Sequence, residues 1–196
     1  MNRKLYYLSA LVLILAICWV ISCATFGSYA KVKAPEKMKL VKCIALTEPV
    51  LNQKLGRTIS KATDETWYNL VNTRFLYALA ENGMLDYICD DDLKDVISRA
   101  TRDKADLEKY HMAMARPGQN TDAVLKTEME IRLKEDNKGD TYVIMQLLDA
   151  KTEDVIIDVK FNTMWGVGYV NKPTTLMTIR DGISGAVEQL ANQMKK

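Results

Sequence analysis

The sequence predicts an α/β fold, a single small domain in which helices pack on a mixed β-sheet of about five strands. Two patterns of apolar spacing carry this prediction. Apolar residues recur at steps of three and four over residues 58–82 and 175–194, which is typical of helices with one buried face. From residue 123 to residue 161, apolar and polar residues mostly alternate, which is typical of strands with one face in water.

The predicted element order is β-α-β-α-β-β-β-α. Asn82–Gly83 is a stop signal for the long helix, and Asp90 is well placed to cap the next one. Gly182 and Gly185 weaken the last helix and allow it to pack closely on the sheet. In chain order, the predicted elements cover residues 38–46 (strand), 58–82 (helix), 84–89 (strand), a short helix after 90, strands within 123–134, 142–148 and 155–161, and a helix over 175–194.

The first 22 residues predict a secretory signal peptide. Arg3 and Lys4 precede an uncharged run over 5–22, and a small residue, Ser22, stands directly before Cys23. This ending resembles the lipobox of bacterial lipoproteins, which implies cleavage before Cys23 and acylation of its thiol. The alternative is an uncleaved transmembrane helix, because about 18 apolar residues are just long enough to span a bilayer.

Cleavage divides the chain into a signal peptide (1–22), a lipidated tether (23–37) and a periplasmic domain (38–196). The tether shows no periodic apolar face, and about 14 residues reach at most about 50 Å when stretched. The domain is therefore expected to work close to its membrane. Ala24, rather than Asp, follows the cysteine, which by resemblance to lipoprotein sorting favours the periplasmic face of the outer membrane.

The charge balance bears on the kind of partner, and the cysteine content bears on whether a disulfide can form. Removing Arg3 and Lys4 with the signal leaves 25 basic against 25 acidic residues, so nothing indicates binding to nucleic acid. Cys43 and Cys89 remain besides the lipidated cysteine. An exported compartment permits a disulfide between them. The interpretation preferred from the sequence is two small buried thiols, since the sequence gives no Cα separation.

No motif for catalysis, cofactor binding or metal binding stands out. The single histidine, His111, has no second histidine near it, and the three acids 90–92 lack the alternate spacing of a calcium loop. The sequence therefore predicts no enzyme, no cofactor and no metal. Trp165 and Tyr169, together with the charged stretch 98–120, are the candidate contacts with a partner protein. The structural alternative is that the glycines between Trp165 and Tyr169 mark a bulge at a strand end.

Four stretches resemble a family of bacterial envelope lipoproteins and related proteins. They are Lys-Cys-Ile-Ala-Leu at 42–46, the helix end and following segment at 79–97, Thr-Asp-Ala-Val-Leu at 121–125, and Leu-Leu-Asp-Ala-Lys-Thr-Glu-Asp-Val-Ile at 147–156. Their order is similar to that in LpoB, the penicillin-binding-protein activator, in CsgG, the curli secretion lipoprotein, and in the N-terminal domain of TolB. The shared motifs are structural and carry no catalytic residues.

The resemblance implies two functions for a non-enzymatic, lipid-anchored protein. The first is an LpoB-like accessory factor that binds and activates a cell-wall synthase. The second is a self-assembling subunit of a ring or disc around a secretion or flagellar machine. The short tether favours the second, and the small size favours the first. An uncharacterised envelope enzyme is a weaker third hypothesis.

Overall fold

The computed structural model describes residues 27–103, 120–134, 138–163 and 174–196. Within these ranges, seven strands form one mixed sheet, and four helices accompany it. The strands are β1 (Tyr29–Val32), β2 (Ile44–Leu46), β3 (Val50–Leu55), β4 (Thr58–Lys61), β5 (Ala123–Leu133), β6 (Gly139–Asp149) and β7 (Val155–Asn162). The helices are α1 (Pro35–Met38), α2 (Glu65–Glu81), α3 (Asp91–Asp103) and α4 (Thr175–Met194), and a 3-10 turn covers Leu85–Tyr87.

The strand order across the sheet is β1-β7-β6-β5-β3-β4, and β2 also pairs with β5. The three strands β5, β6 and β7 form an antiparallel meander, as the alternation over 123–161 predicts. β5 pairs in parallel with β2 near its start and with β3 near its end. The sheet is therefore mixed, and the predicted α/β fold class is confirmed.

The last helix covers the core face of the sheet. Thr174 accepts a hydrogen bond from the Met177 amide and caps the N-terminus of α4. The helix buries an apolar face formed by Ile179, Ile183, Ala186, Val187, Leu190 and Ala191. Two glycines lie on the same side: a Cβ at Gly182 would stand 3.2–3.3 Å from Thr141 and Val143, and one at Gly185 would overlap the ring of Phe161. The predicted close packing at both glycines is confirmed.

The predicted turn signals around the first long helix hold in part. Asn82 ends α2 and Gly83 follows with φ +71°, a left-handed conformation that suits glycine. Asp90 caps α3, since its carboxylate accepts the Leu93 amide at 2.9 Å. The helix itself begins at Glu65 with Asp64 as its cap, not at residue 58.

Several predicted element boundaries between residues 29 and 89 are wrong. Residues 29–32, predicted to be tether, form β1 and pair with β7. The strand predicted over 38–46 is confined to 44–46, and residues 50–61, read as a break and a helix start, form the β3–β4 hairpin. The strand predicted over 84–89 is a 3-10 turn followed by one bridge from Ile88 to Ile44.

The preference for two free thiols is also wrong. Cys43 and Cys89 form a disulfide, with their Cα atoms 4.8 Å apart, well inside the range that a disulfide requires. Neither cysteine lies within a strand, contrary to the sequence prediction. The bond joins the segment before β2 to the segment before α3 and closes a loop that contains the hairpin and α2.

Candidate protein-contact surface

The candidate site residues chosen from the sequence fall outside the part of the chain that the structure describes. Cys23 precedes residue 27, and Trp165 and Tyr169 lie between 163 and 174. Of the charged stretch 98–120, only 98–103 at the end of α3 and residue 120 are described, and His111 is not. The acylation site and both aromatic contacts therefore stay predictions from the sequence.

Sequence reasoning missed the surface that surrounds the β3–β4 hairpin. All four residues of β4 are exposed, and β4 pairs only with β3 among the described strands. Leu55 is 65% exposed at the end of β3, and Ile59 is 56% exposed in β4. Exposed β-branched and aliphatic side chains on an unpaired edge are features of a strand that can accept another strand. We call Leu55, Ile59 and the groove described next the hairpin surface.

An apolar groove of about 590 Å³ adjoins the hairpin at Leu55. Its apolar walls are Leu55 from β3, Trp67 from α2, Leu133 from β5 and Leu176 from α4. Leu176 is 44% exposed, although the helical spacing predicts it on the buried face. Among the residues that line the groove, only Leu55 belongs to the hairpin, and it lies on β3 rather than on β4.

The hydrogen-bonding direction of β4 follows from one backbone contact. The Ala62 amide donates to the Leu51 carbonyl at 3.0 Å, and the register pairs Gln53 with Ser60. In an antiparallel pair, hydrogen-bonded residues alternate along the strand, so Ser60 points its amide at β3. Ile59 and Lys61 therefore direct their amides and carbonyls outward, away from the sheet.

The hairpin carries a turn signal that could have identified it. Leu55 pairs with Thr58 across the two-residue turn Gly56–Arg57, and Gly56 has φ +58°. Glycine at the first position of a two-residue turn is the pattern of a type II′ hairpin. The apolar spacing after Thr58 also fits a helix, so the sequence predicts a helix start there instead of a turn.

Two of the family-like motifs have structural roles. The Asp122 carboxylate accepts the amides of Lys42 and Cys43 at 2.9 and 3.0 Å, which fixes the segment before β2 against the start of β5. This clamp holds Cys43 beside the 3-10 turn region, where it bonds to Cys89. The Asp of the 121–125 motif therefore bonds to backbone amides and has a structural role.

The second motif forms the β6–β7 turn. The Asp149 carboxylate accepts the amides of Thr152 and Lys151 at 2.8 and 3.0 Å, and Lys37 of α1 lies 3.3 Å away. The hydrogen bond from the Thr152 amide contributes most, and that from the Lys151 amide contributes next. Both stabilise the charged carboxylate and lower the pKa of Asp149 to about 2. Lys37 also bonds to Asp154 at 2.7 Å, which raises the pKa of the lysine and lowers that of Asp154. The motif thus makes the turn and fastens α1 to it.

Three buried threonines of the described core bond to one another, whereas the buried hydroxyl of Thr127 has no hydrogen-bond partner among the described residues. The Thr141 hydroxyl donates to Thr178, and the Thr163 hydroxyl accepts the Thr141 amide. Among the described residues, no three His, Cys, Asp or Glu side chains are placed to hold a metal ion. No helix in the same ranges is long and apolar enough to cross a membrane.

Comparison with known proteins finds similar folds at low identity. No protein-family model and no curated protein matches the sequence. A PelC dodecamer from Paraburkholderia phytofirmans is similar over 84% of this chain and 96% of that chain, with 11% identity and a TM-score of 0.43. Lipoprotein GNA1162 from Neisseria meningitidis matches over 76% and 98%, with 17% identity and a TM-score of 0.35.

A Xanthomonas campestris protein assigned to the DUF330 family model is similar at the same level. It matches over 85% of this chain and 91% of that chain, with 11% identity and a TM-score of 0.35. Matches with TM-scores below 0.5 define neither a family nor an assembly for this chain. The specific resemblance to LpoB and CsgG stays a prediction from the sequence.

Proposed function

We propose that this chain is a non-enzymatic, lipid-anchored envelope protein that assembles with copies of itself at a membrane surface. The observation that carries the proposal is the edge of β4, whose four residues are exposed and which pairs only with β3 among the described strands. An added strand would bond to the outward amides and carbonyls of β4. The non-enzymatic part rests on the sequence, whose single histidine offers no pairing of a nucleophile with a base.

The short reach of the anchor supports self-association. Ser28 already contacts the sheet, because its hydroxyl accepts the Asn162 amide at 2.9 Å, and β1 begins at Tyr29. Tyr29 is six positions after Cys23, with five residues between them, so their Cα atoms are at most about 20 Å apart. This reach is less than half of that expected for the tether predicted from the sequence. A partner held at a distant membrane is therefore difficult to contact.

Copies anchored in this way share one height above one membrane. Their hairpin surfaces occupy a thin layer, which raises the effective concentration of each copy for its neighbours. We infer the outer membrane from Ala24 and a structural subunit, such as a member of a ring or disc, from the combination of anchor and edge. Activation of a cell-wall synthase is the competing function, and the short reach makes it the second choice.

The first test measures the oligomeric state of the exported part, residues 24–196, by size-exclusion chromatography with light scattering. We expect a mass above that of the monomer, increasing with concentration between 1 and 100 µM, on the order of the range that weak interfaces require. Ile59→Pro removes one outward amide and leaves the bonds between β3 and β4 intact, so it should give a monomer. Ile59→Val keeps the amide and the apolar side chain and serves as the matched control.

Thermal unfolding of each variant shows whether the hairpin remains folded. A wild-type protein that stays monomeric at all concentrations, or an Ile59→Pro variant that assembles like Ile59→Val, would contradict the proposal. Purification of the lipidated protein from its native membrane then identifies the partner. Recovery of a cell-wall synthase with a monomeric chain would favour the activator function instead.

A further inference from the structure

The segment from residue 29 to residue 42 is basic and exposed. It contains five lysines and one acid, Glu36. Lys37 is paired with Asp149 and Asp154, whereas the other four lysines are exposed and take part in none of the ion pairs found among the described residues. These four are Lys31, Lys33, Lys39 and Lys42. We call residues 29–42 the basic segment.

The basic segment also exposes apolar and aromatic surface. Leu40 is 70% exposed, more than any other large apolar residue in the described ranges, and Tyr29 is 41% exposed. Exposure alternates along β1, so Tyr29 and Lys31 face away from the core. Lys160 of β7 adds a further cation, with its Nζ 5.5 Å from the centre of the Tyr29 ring. Lysines interspersed with an aromatic ring and a leucine are typical of surfaces that lie in a membrane interface.

The position of this segment in the chain determines what it can reach. β1 is an edge of the described sheet and pairs only with β7 there. If Cys23 carries the lipid, Tyr29 lies within about 20 Å of the acylated residue. The headgroup layer is therefore within contact distance of β1 and of the lysines that follow it.

We propose that the basic segment docks on an anionic phospholipid surface and orients the domain on its membrane. The proposal rests on the acylation of Cys23 and is independent of self-association. Docking places the β1 edge toward the membrane. The β4 edge then lies at the other side of the sheet, five strand spacings or about 24 Å away, where it pairs with no further described strand.

The first experiment measures co-sedimentation of residues 24–196 with vesicles. This fragment contains every described element of the fold and lacks the lipid, so binding reports the segment alone. We expect binding to vesicles of phosphatidylglycerol and phosphatidylethanolamine, weakening as salt increases, and little binding to phosphatidylcholine vesicles. The variant with Lys31→Glu, Lys33→Glu and Lys39→Glu should lose at least about tenfold in partitioning.

A matched variant controls for net charge. Arg99→Glu, Arg180→Glu and Lys195→Glu change the charge equally at exposed positions on α3, on α4 and directly after α4. This control should bind the anionic vesicles within about twofold of wild type, since its sites lie outside the docking segment. Equal losses in both variants, or equal binding of wild type to neutral and anionic vesicles, would overturn the proposal.

The second experiment uses the full lipidated protein in the same anionic vesicles. Acetylation of lysines followed by mass spectrometry should modify Lys31, Lys33 and Lys39 more slowly than Lys61, and the difference should vanish in detergent. Uniform modification would overturn the proposal without any variant. Retention of a Cys23→Ser variant at the membrane tests the anchor separately, and light scattering tests self-association.

Discussion

Replacing Gly185 with alanine would place a methyl group so close to the ring of Phe161 that the two overlap. The Cβ would stand 2.5 Å from Cε2 and 2.7 Å from Cε1 of that ring, and closer still to Cζ. Carbon atoms need about 3.5 Å, so the ring or the helix must move by about 1 Å. Phe161 is buried between α4 and the sheet, which leaves the ring little space to swing away.

The magnitude follows from two opposing terms. Alanine is favoured over glycine inside a helix by about 1 kcal/mol. Overpacking a filled core by one methyl group costs about 1–3 kcal/mol, and a displacement of this size belongs at the upper end. We therefore expect Gly185→Ala to lower the free energy of unfolding by about 2 kcal/mol, or Tm by about 4–8 °C.

Gly182 in the same helix is the matched control. Its added Cβ would stand 3.2–3.3 Å from methyl groups of Thr141 and Val143, which need to yield by only a few tenths of an ångström. The gain in helix propensity offsets that crowding, so Gly182→Ala should change the free energy of unfolding by less than about 0.5 kcal/mol. Urea unfolding followed by circular dichroism measures both variants.

A second substitution at the ring makes the test specific. Phe161→Leu in the Gly185→Ala background should be less destabilising than Phe161→Leu in wild type, because the smaller side chain makes room for the methyl group. If Gly185→Ala is as stable as Gly182→Ala, or if the two changes are additive, the packing of α4 on β7 is not as described.

Two further predictions concern the disulfide and the β6–β7 turn. Replacing Cys43 and Cys89 with alanine should lower the free energy of unfolding by about 4 kcal/mol, since the bond closes a loop with a sequence separation of 46; urea unfolding with and without reductant checks this. Asp149→Asn should lower Tm at pH 6. The folded-state pKa of Asp149 lies near 2, below its ordinary 3.8, so the stabilisation is present above the unfolded-state pKa and is lost as pH falls toward 2. Melting curves from pH 6 to pH 2 should therefore converge for wild type and variant, and a constant gap would contradict this origin.

The parts of the fold that the sequence predicts well are those with long, regular apolar patterns. Residues 123–133 alternate because one face of β5 packs on the core, and the structure buries Leu125, Met129 and Ile131 on that face. The final helix is equally predictable from the sequence, since Ile183 and Val187 lie on its buried apolar face. Long elements that pack on one side impose a period that the order of apolar and polar residues reveals.

The hairpin and β1 could not be predicted in the same way. β4 has four residues and all are exposed, so no buried face imposes an alternation on residues 58–61. β1 forms because its backbone completes the edge beside β7, a contact with a strand more than 120 residues away in sequence. The contact surface is hidden for the same reason, because Leu55 and Leu176 approach each other only after β3 and α4 are placed by the sheet.

The disulfide has a consequence for the time before the protein reaches its compartment. Thiols stay reduced in the cytoplasm, so a chain exported as its first 23 residues predict would lack the bond between Cys43 and Cys89 until after translocation. The newly made chain would then be about 4 kcal/mol less stable than the mature one. A crosslink that forms only after export leaves any earlier folding more easily reversed. Formation of the disulfide after export would then stabilise the folded state only in the compartment where the protein works.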